Sequence, residues 1–373
     1  MSSPNLDLKI TSGQITALKI PTDRPESDGT AKWDSTTIII VELTAAGVTG
    51  LGYAYTNVAA ATVAQELVDK EILNQQAFDI PQLHSAMNNK TRNWGRPGLV
   101  SNAISAIDTC LWDLKARVLN QPLLSLIGKA RDEIQAYGSG GFTSYSEKEL
   151  IDQLTGWASE GFGSVKMKVG REPDKDVARV AAVQKALDGR AKLYVDANGA
   201  YDRQQALVKS RQFGDQGVTW FEEPVTSDDR IGLRYLVDRA PDLMQIAAGE
   251  YIYVLDDARL MIEAQAVDVL QSDVTRCGGI SNFVKIGNLC ETFHFPLSGH
   301  TAPSLHAILC CALVPACNLE YFHDHVRIEN MIFDGVPQPV RGKLKPDLSR
   351  PGLGLEFKRI DSERFRVFSA KWP

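Results

Sequence analysis

Ser164-Val-Lys-Met-Lys-Val169, Tyr194-Val-Asp-Ala-Asn198, Trp220-Phe-Glu-Glu-Pro224 and Ala248-Gly-Glu250 follow one another at near-regular intervals, each a short apolar run that carries or closes on charge. Reading outward gives eight such runs: Ile134–Gly138, Ser164–Val169, Lys192–Asn198, Thr219–Glu223, Gln245–Glu250, Val267–Asp273, Phe293–His300 and Asn318–Phe322. Their starts lie roughly 22–30 residues apart, the length of a β/α unit, and most are followed by a helical pattern. Eight such units in succession predict a closed barrel. No run is followed by GxGxxG, and GxxxxGK[ST] is absent, so dinucleotide and P-loop readings lose support.

The residues before this barrel have a different texture. Leu8–Ile20 and Ser35–Val48 read as strands, Ala61–Leu73 and Ser101–Leu119 as helices. Pro21–Asp34 is polar, with two prolines and a glycine, and reads as a mobile loop. Strands followed by helices suggest a separate α+β domain. The expected division is a cap over 1–132, a barrel over 133–328, and a Pro- and Gly-rich tail over 329–373 that returns to the cap.

Composition narrows the function classes. The 373 residues are 44% hydrophobic with a formal charge of −6, so no basic surplus points to nucleic acid or anionic membrane. No apolar run approaches the roughly 20 residues of a membrane span, and Met1–Asp7 has no secretory-signal pattern. The six cysteines lack CxxC spacing, which reads as a reduced, cytoplasmic, mostly buried set.

Barrel chemistry sits at the C-terminal ends of the strands. Those ends carry Lys166 and Lys168, Asp196 and Asn198, Glu222, Glu250, Asp273, His300 and Glu320. One strand-terminal charge is ordinary solvated rim; seven consecutive strands with an ionisable group at the same end point to an active site. Asp196, Glu222 and Glu250 offer hard oxygen ligands suited to Mg²⁺. Lys168, crowded by a metal and Lys166, is expected to have a lowered pKa and to act as a base. His300 and Asp273 form a candidate dyad, and Glu320, if kept protonated, is a hydrogen-bond donor. Glu223, by strand alternation, faces away.

These residues in this order resemble the enolase superfamily, and within it the mandelate racemase subgroup. Asp273…Arg276-Cys-Gly-Gly-Ile280 and Ser298-Gly-His300 carry the resemblance in the barrel; Ala106-Ile-Asp-Thr-Cys-Leu-Trp-Asp-Leu-Lys115 carries it in the cap. It implies a modified (β/α)₇β barrel with an α+β cap, Mg²⁺ on Asp196, Glu222 and Glu250, and Lys168 and His300 as acid/bases on opposite faces of the substrate. It also implies that Lys166 stabilises the substrate carboxylate, that Glu320 stabilises an enediolate, and that the protein is a homo-oligomer. Asp273 in place of a lysine at the sixth strand end sets aside the muconate-lactonising and dipeptide-epimerase branch.

Asn198, Arg276, Trp33 and Tyr53 are candidate substrate contacts, and Trp33, Tyr53 and Tyr55 fall where the cap would close over the barrel mouth. His323-Asp324-His325 has an H-x-H spacing but lacks a third ligand nearby in sequence. His306, on an apolar helix, reads as a satisfied structural histidine. The expected activity is dehydration of a sugar acid, favoured over racemisation or epimerisation because Pro21–Asp34 is polar. A non-catalytic binding barrel is the remaining alternative.

Overall fold

The computed structural model describes residues 7–373; Met1–Leu6, most of the segment read above as lacking a secretory signal, lie outside the described residues. Strands β1 (Ile10–Ser27), β2 (Lys32–Ala45) and β3 (Val48–Tyr55) form an antiparallel meander. β-Branched residues dominate the central stretch Ile38–Val41, which is wholly buried. The helix Leu99–Val118 packs on this sheet at close range. A Cβ on Gly52 would lie 2.1 Å from the carbonyl oxygen of Ala106, so only glycine permits that approach.

Eight parallel strands follow: β4 (Ile134–Ser139), β5 (Ser164–Lys168), β6 (Lys192–Asp196), β7 (Trp220–Glu222), β8 (Gln245–Ala248), β9 (Val269–Ser272), β10 (Leu297–Gly299) and β11 (Ala316–Phe322). Each pairs with the next, and β11 pairs with β4 to close the barrel. Helices separate successive strands, such as Glu147–Ser159, whose start is fixed by a Ser146/Glu149 capping box. Tyr137, Tyr194, Trp220, Ala247 and Val269 fill the barrel axis as a small cluster. This apolar plug leaves the charged strand ends as a separate upper layer.

The tail supplies β12 (Phe333–Asp334), β13 (Lys343–Leu344), β14 (Glu356–Phe357) and β15 (Arg366–Trp372). β15 pairs with β1 in the cap sheet, whereas β13 pairs antiparallel with β4 of the barrel, so the tail ties both parts together. Buried Asp113 reinforces the junction. It accepts the N–H groups of Leu51 (2.7 Å) and Leu353 (2.6 Å) and pairs with Arg117 Nε at 2.6 Å.

The expected mobile loop Pro21–Asp34 is instead a hairpin arm. β1 and β2 continue through it, pairing Glu26 with Trp33 and Ser27 with Lys32 beyond a register break. Its polar side chains find partners on barrel loops, which replaces the solvent a loop would need. Arg24 Nη1 meets Glu149 Oε1 at 2.7 Å, and Arg327 donates to the carbonyl of Pro21 at 2.7 Å. Ser27 Oγ and Thr143 Oγ1 are 2.6 Å apart.

No disulfide links the cysteines, of which Cys317 alone is exposed among the described residues. No described helix is long and apolar enough to cross a membrane.

Candidate active site

The strand ends converge on a cavity of about 330 Å³ under the arm, lined by Lys168, Asn198, Glu250, Arg276, His300 and Glu320 among others. A larger cleft of about 540 Å³ lies between the cap sheet and the tail and holds none of these groups.

Lys166 is fully buried beneath the residues that line the cavity, its Nζ over the Tyr137 ring at the barrel axis. Its Nζ lies 2.7 Å from Glu222 Oε1, 2.8 Å from Glu320 Oε1 and 3.4 Å from Asp196 Oδ2. Burial alone would strip its charge, but those carboxylates outweigh it and hold the ammonium well above its usual range. Lys168, two residues on and on the same face, places Nζ 2.5 Å from Asp196 Oδ2. Its pKa is raised, contrary to the expected lowering: burial pushes down, and Asp196 more than reverses it. The expectation counted a bound metal and Lys166 beside it and left out the nearer carboxylate.

His300 follows β10. Its Nδ1 sits 3.0 Å from Asp273 Oδ2, and its Nε2 sits 2.6 Å from Glu250 Oε2. Burial opposes the imidazolium, but Glu250, Glu320 and Asp273 hold its pKa at about 10. The dyad read from the sequence is therefore present. Its partners respond in turn. Burial would raise Glu250 and Asp273, yet His300 and Arg276 hold both low.

Glu320 is ionised, which corrects the expectation of a protonated donor. Burial would raise it, but Lys166, with His300 and Lys168, holds it at about 2. It instead accepts from Ser139 Oγ (2.5 Å) and the Thr301 N–H (3.2 Å).

Glu222, Glu250 and His300 offer ligand atoms within 4.8 Å of one another. Asp196 lies beside Glu222 on the neighbouring strand, with Oδ2 turned to the lysines. Burial, followed by Asp196, lifts Glu222 to about 8, against the opposing effects of Lys166 and Lys168. This donor set fits a hard divalent cation. Glu223 was read as facing away; the strand stops at Glu222, and a left-handed φ of 37° turns Glu223 back. Glu250, Asp196 and Glu222 all press on its buried carboxyl, whose Oε1 has no partner. Alternation fails there because it presumes that the strand continues.

Gly249 holds the turn before Glu250. Its φ is 131°, and a Cβ there would lie 2.2 Å from the carbonyl oxygen of Gln271. Left-handed backbone recurs at Asn198, Thr301 and Ala302, so four barrel strands end in strained turns around one cavity.

Of the expected substrate contacts, Asn198, Arg276 and Trp33 line the cavity. Tyr53 does not. It is completely buried and donates to Glu329 Oε1 at 2.8 Å, while Tyr55, one pleat nearer the strand end, reaches the cavity. The H-x-H pair divides: His323 joins Asp23 of the arm at 3.0 Å, and His325 enters the cavity wall. His306 is a satisfied core histidine, bonded to Thr301 O and the Val274 N–H. Sequence reading missed Ser35, Thr37, Thr56 and Tyr251 in the wall; cap strands bring the first three there, and Tyr251 follows Glu250 in the turn after β8.

Comparison with known proteins agrees with this geometry. Residues 149–361 match the enolase C-terminal domain-like model, and residues 15–128 match the mandelate racemase/muconate lactonizing enzyme N-terminal domain. Arabinonate dehydratase of Saccharolobus solfataricus is 31% identical over 316 residues, covering 82% of this chain and 83% of its own. The crystal structure of a mandelate racemase/muconate lactonizing enzyme-like protein from Rubrobacter xylanophilus superposes with a TM-score of 0.92 at 45% identity, covering 96% of this chain and 100% of that one. L-Talarate dehydratase from Polaromonas sp., solved with Mg and L-glucarate, gives 0.88 at 30% identity, covering 98% and 99%. Cap, barrel and strand-end residues together make this chain a member of the enolase superfamily, in its mandelate racemase subgroup.

Proposed function

We propose that the protein is a Mg²⁺-dependent dehydratase of sugar acids. The observation that carries this reading is that Lys168 and His300, from strands on different sides of the barrel, line one cavity with Glu250 and Glu320. Similarity to an arabinonate dehydratase and to an L-talarate dehydratase solved with Mg supports it.

Asp196, Glu222 and Glu250 are the residues that would hold the ion. Bound there, Mg²⁺ supplies positive charge that acidifies the α-proton and competes for the carboxylates now paired with Lys168 and His300. The α-proton passes to the neutral form of Lys168 Nζ or His300 Nε2, and the C–H electron pair moves into the carboxylate to give an enediolate. Lys166, beneath the cavity, stabilises the substrate carboxylate. The electron pair then returns and expels the β-hydroxyl, which leaves as water after taking a proton from the acid on its side. The resulting enol tautomerises to a 2-keto-3-deoxy acid. Glu320, being ionised, serves by orienting Lys166 and the Thr301 turn.

The same two groups also suit racemisation or epimerisation, in which one removes the proton and the other returns it to the opposite face. A panel of sugar acids incubated with enzyme and Mg²⁺ in D₂O separates the readings. A 2-keto product supports dehydration, and α-deuterium with inverted configuration supports epimerisation. Neither product from any acid would end both readings. The wider reading is a cytoplasmic homo-oligomer, divided at about residues 132 and 328 into cap, barrel and returning tail; the two family matches, which part between residues 128 and 149, support the first boundary, and the pairing of β15 with β1 supports the returning tail.

A further inference from the structure

Resting on that reading, the cavity wall away from the catalytic centre also defines the kind of acid it accepts. Besides His300, two basic side chains line the cavity, Lys168 and Arg276, and both are engaged. Lys168 pairs with Asp196. Arg276 lies 3.7 Å from Glu250 Oε1 and 3.5 Å from Asp273 Oδ2, and donates to the Glu250 carbonyl at 3.2 Å. The rest of the wall includes Trp33, Ser35, Thr37, Thr56 and His325, together with the carboxylate of Asp28. Among the described residues, no uncommitted cation faces this part of the cavity.

His325 supplies a directed donor there. The backbone N–H of Ala302 donates to His325 Nδ1 at 3.3 Å, so Nδ1 is the acceptor and the ring proton sits on Nε2. The ring cannot turn freely. It stacks on Tyr55 at 3.4 Å between centroids and 10° between planes, with Phe322 edge-on at 5.1 Å. Burial, with the charges of His300 and Arg276, keeps the imidazole neutral at about 3. Among the described residues, Nε2 has no hydrogen-bond partner. It is a fixed, uncharged N–H in a stretch of wall that also carries Trp33, Ser35, Thr37, Thr56 and Asp28.

We propose that the substrate is a monocarboxylic polyhydroxy acid, whose uncharged tail accepts a hydrogen bond from His325 Nε2. A diacid would bring its second carboxylate against hydroxyls and Asp28 with no cation to meet it, and a desolvated charge without a partner is strongly disfavoured.

The test compares five- and six-carbon aldonates with the matching aldarates, measuring α-proton exchange in D₂O with Mg²⁺ and keto-acid release. Aldonates are expected to exceed their aldarates by about 10²-fold or more in kcat/KM. His325→Ala should lower kcat/KM on the best aldonate by about 10–10²-fold, mainly through KM, and His325→Gln, which keeps an N–H near Nε2, should recover most of it. Mg²⁺ affinity should be unchanged in both variants. Aldarates turned over as well as aldonates would overturn the proposal. So would His325→Ala behaving as wild type, or Gln failing as badly as Ala. If no acid exchanges its α-proton, the reaction reading itself fails. The tail preference is then read from thermal stabilisation, and equal or absent stabilisation by both acid classes would overturn it as well.

Discussion

Lys168 Nζ lies 2.5 Å from Asp196 Oδ2, so a candidate base and a candidate metal ligand share one contact. His300 and Glu250 repeat the arrangement at 2.6 Å, using strands β8 and β10. Each candidate acid/base is thus paired with a carboxylate of the candidate metal set, and the two pairs come from different strands.

Because each group reaches the α-carbon from one face, single variants should separate them. Lys168→Ala should abolish α-proton exchange from one epimer, and His300→Asn from the other, each by about 10²–10⁴-fold. Asp273→Asn should resemble the His300 change, since the imidazole loses its 3.0 Å partner. Exchange followed by NMR on both epimers is the measurement. Wild-type rates on both in each variant would end the two-base arrangement.

Removal of divalent ions should abolish turnover, and Mg²⁺ should restore it. Glu222→Gln and Asp196→Asn should each weaken Mg²⁺ binding measured by calorimetry, because each removes a hard anionic ligand from a crowded set. Full activity in chelated enzyme would refute the metal requirement.

The arm should govern which acid is accepted and leave the chemistry alone. It contributes Asp28 and Trp33 to the cavity but none of the candidate metal or acid/base groups. Exchanging residues 21–34 for a relative's segment should change the preferred acid while Mg²⁺ affinity stays constant. Lost metal binding with unaltered preference would contradict this.

The barrel and its charged strand ends were legible because seven of the eight short strands announce themselves by an apolar run that carries or closes on an ionisable residue. Lys166, Asp196 and Glu222 needed nothing beyond alternation and strand order. Glu223 and Tyr53 were misplaced for local reasons: a left-handed residue reverses the first, and the second sits one pleat too deep. The protonation of Glu320 was misread because a lysine on another strand decides it. The arm looked like a loop because its partners, such as Glu149 and Arg327, are more than a hundred residues away in sequence. His325 was visible only as half of an H-x-H spacing. The fold gives its ring a stacking partner and its Nδ1 a donor.

Asp113 should prove a stability residue with no effect on chemistry. It satisfies two backbone N–H groups and Arg117 where the cap helix, β3 and the tail meet. Asp113→Ala leaves the two buried backbone donors and Arg117 Nε without their acceptor, while Glu356 and the Leu355 carbonyl still hold the rest of the guanidinium, and should cost about 2–3 kcal/mol in urea unfolding. Any fall in kcat/KM should track the loss of folded protein.

Glu26 should make the arm looser as pH rises. Burial, then the charges of Asp324 and Asp23, lifts its carboxyl from 4.5 to about 8, against the opposing effects of Trp33 Nε1, which donates to it at 2.7 Å, and Arg327. The closed arm therefore binds this proton more tightly than an open one. Stability from this group is fully present below about pH 4.5 and is lost as pH rises through about 8. Amide hydrogen exchange across the arm, corrected for intrinsic rates, should show protection falling over that window. Glu26→Gln, which stays neutral and keeps an acceptor for Trp33, should flatten the dependence. The neighbouring Asp23–His323 contact is the competing source. If the slope survives in Glu26→Gln and disappears in His323→Gln, the imidazole controls the arm and the assignment to Glu26 is wrong.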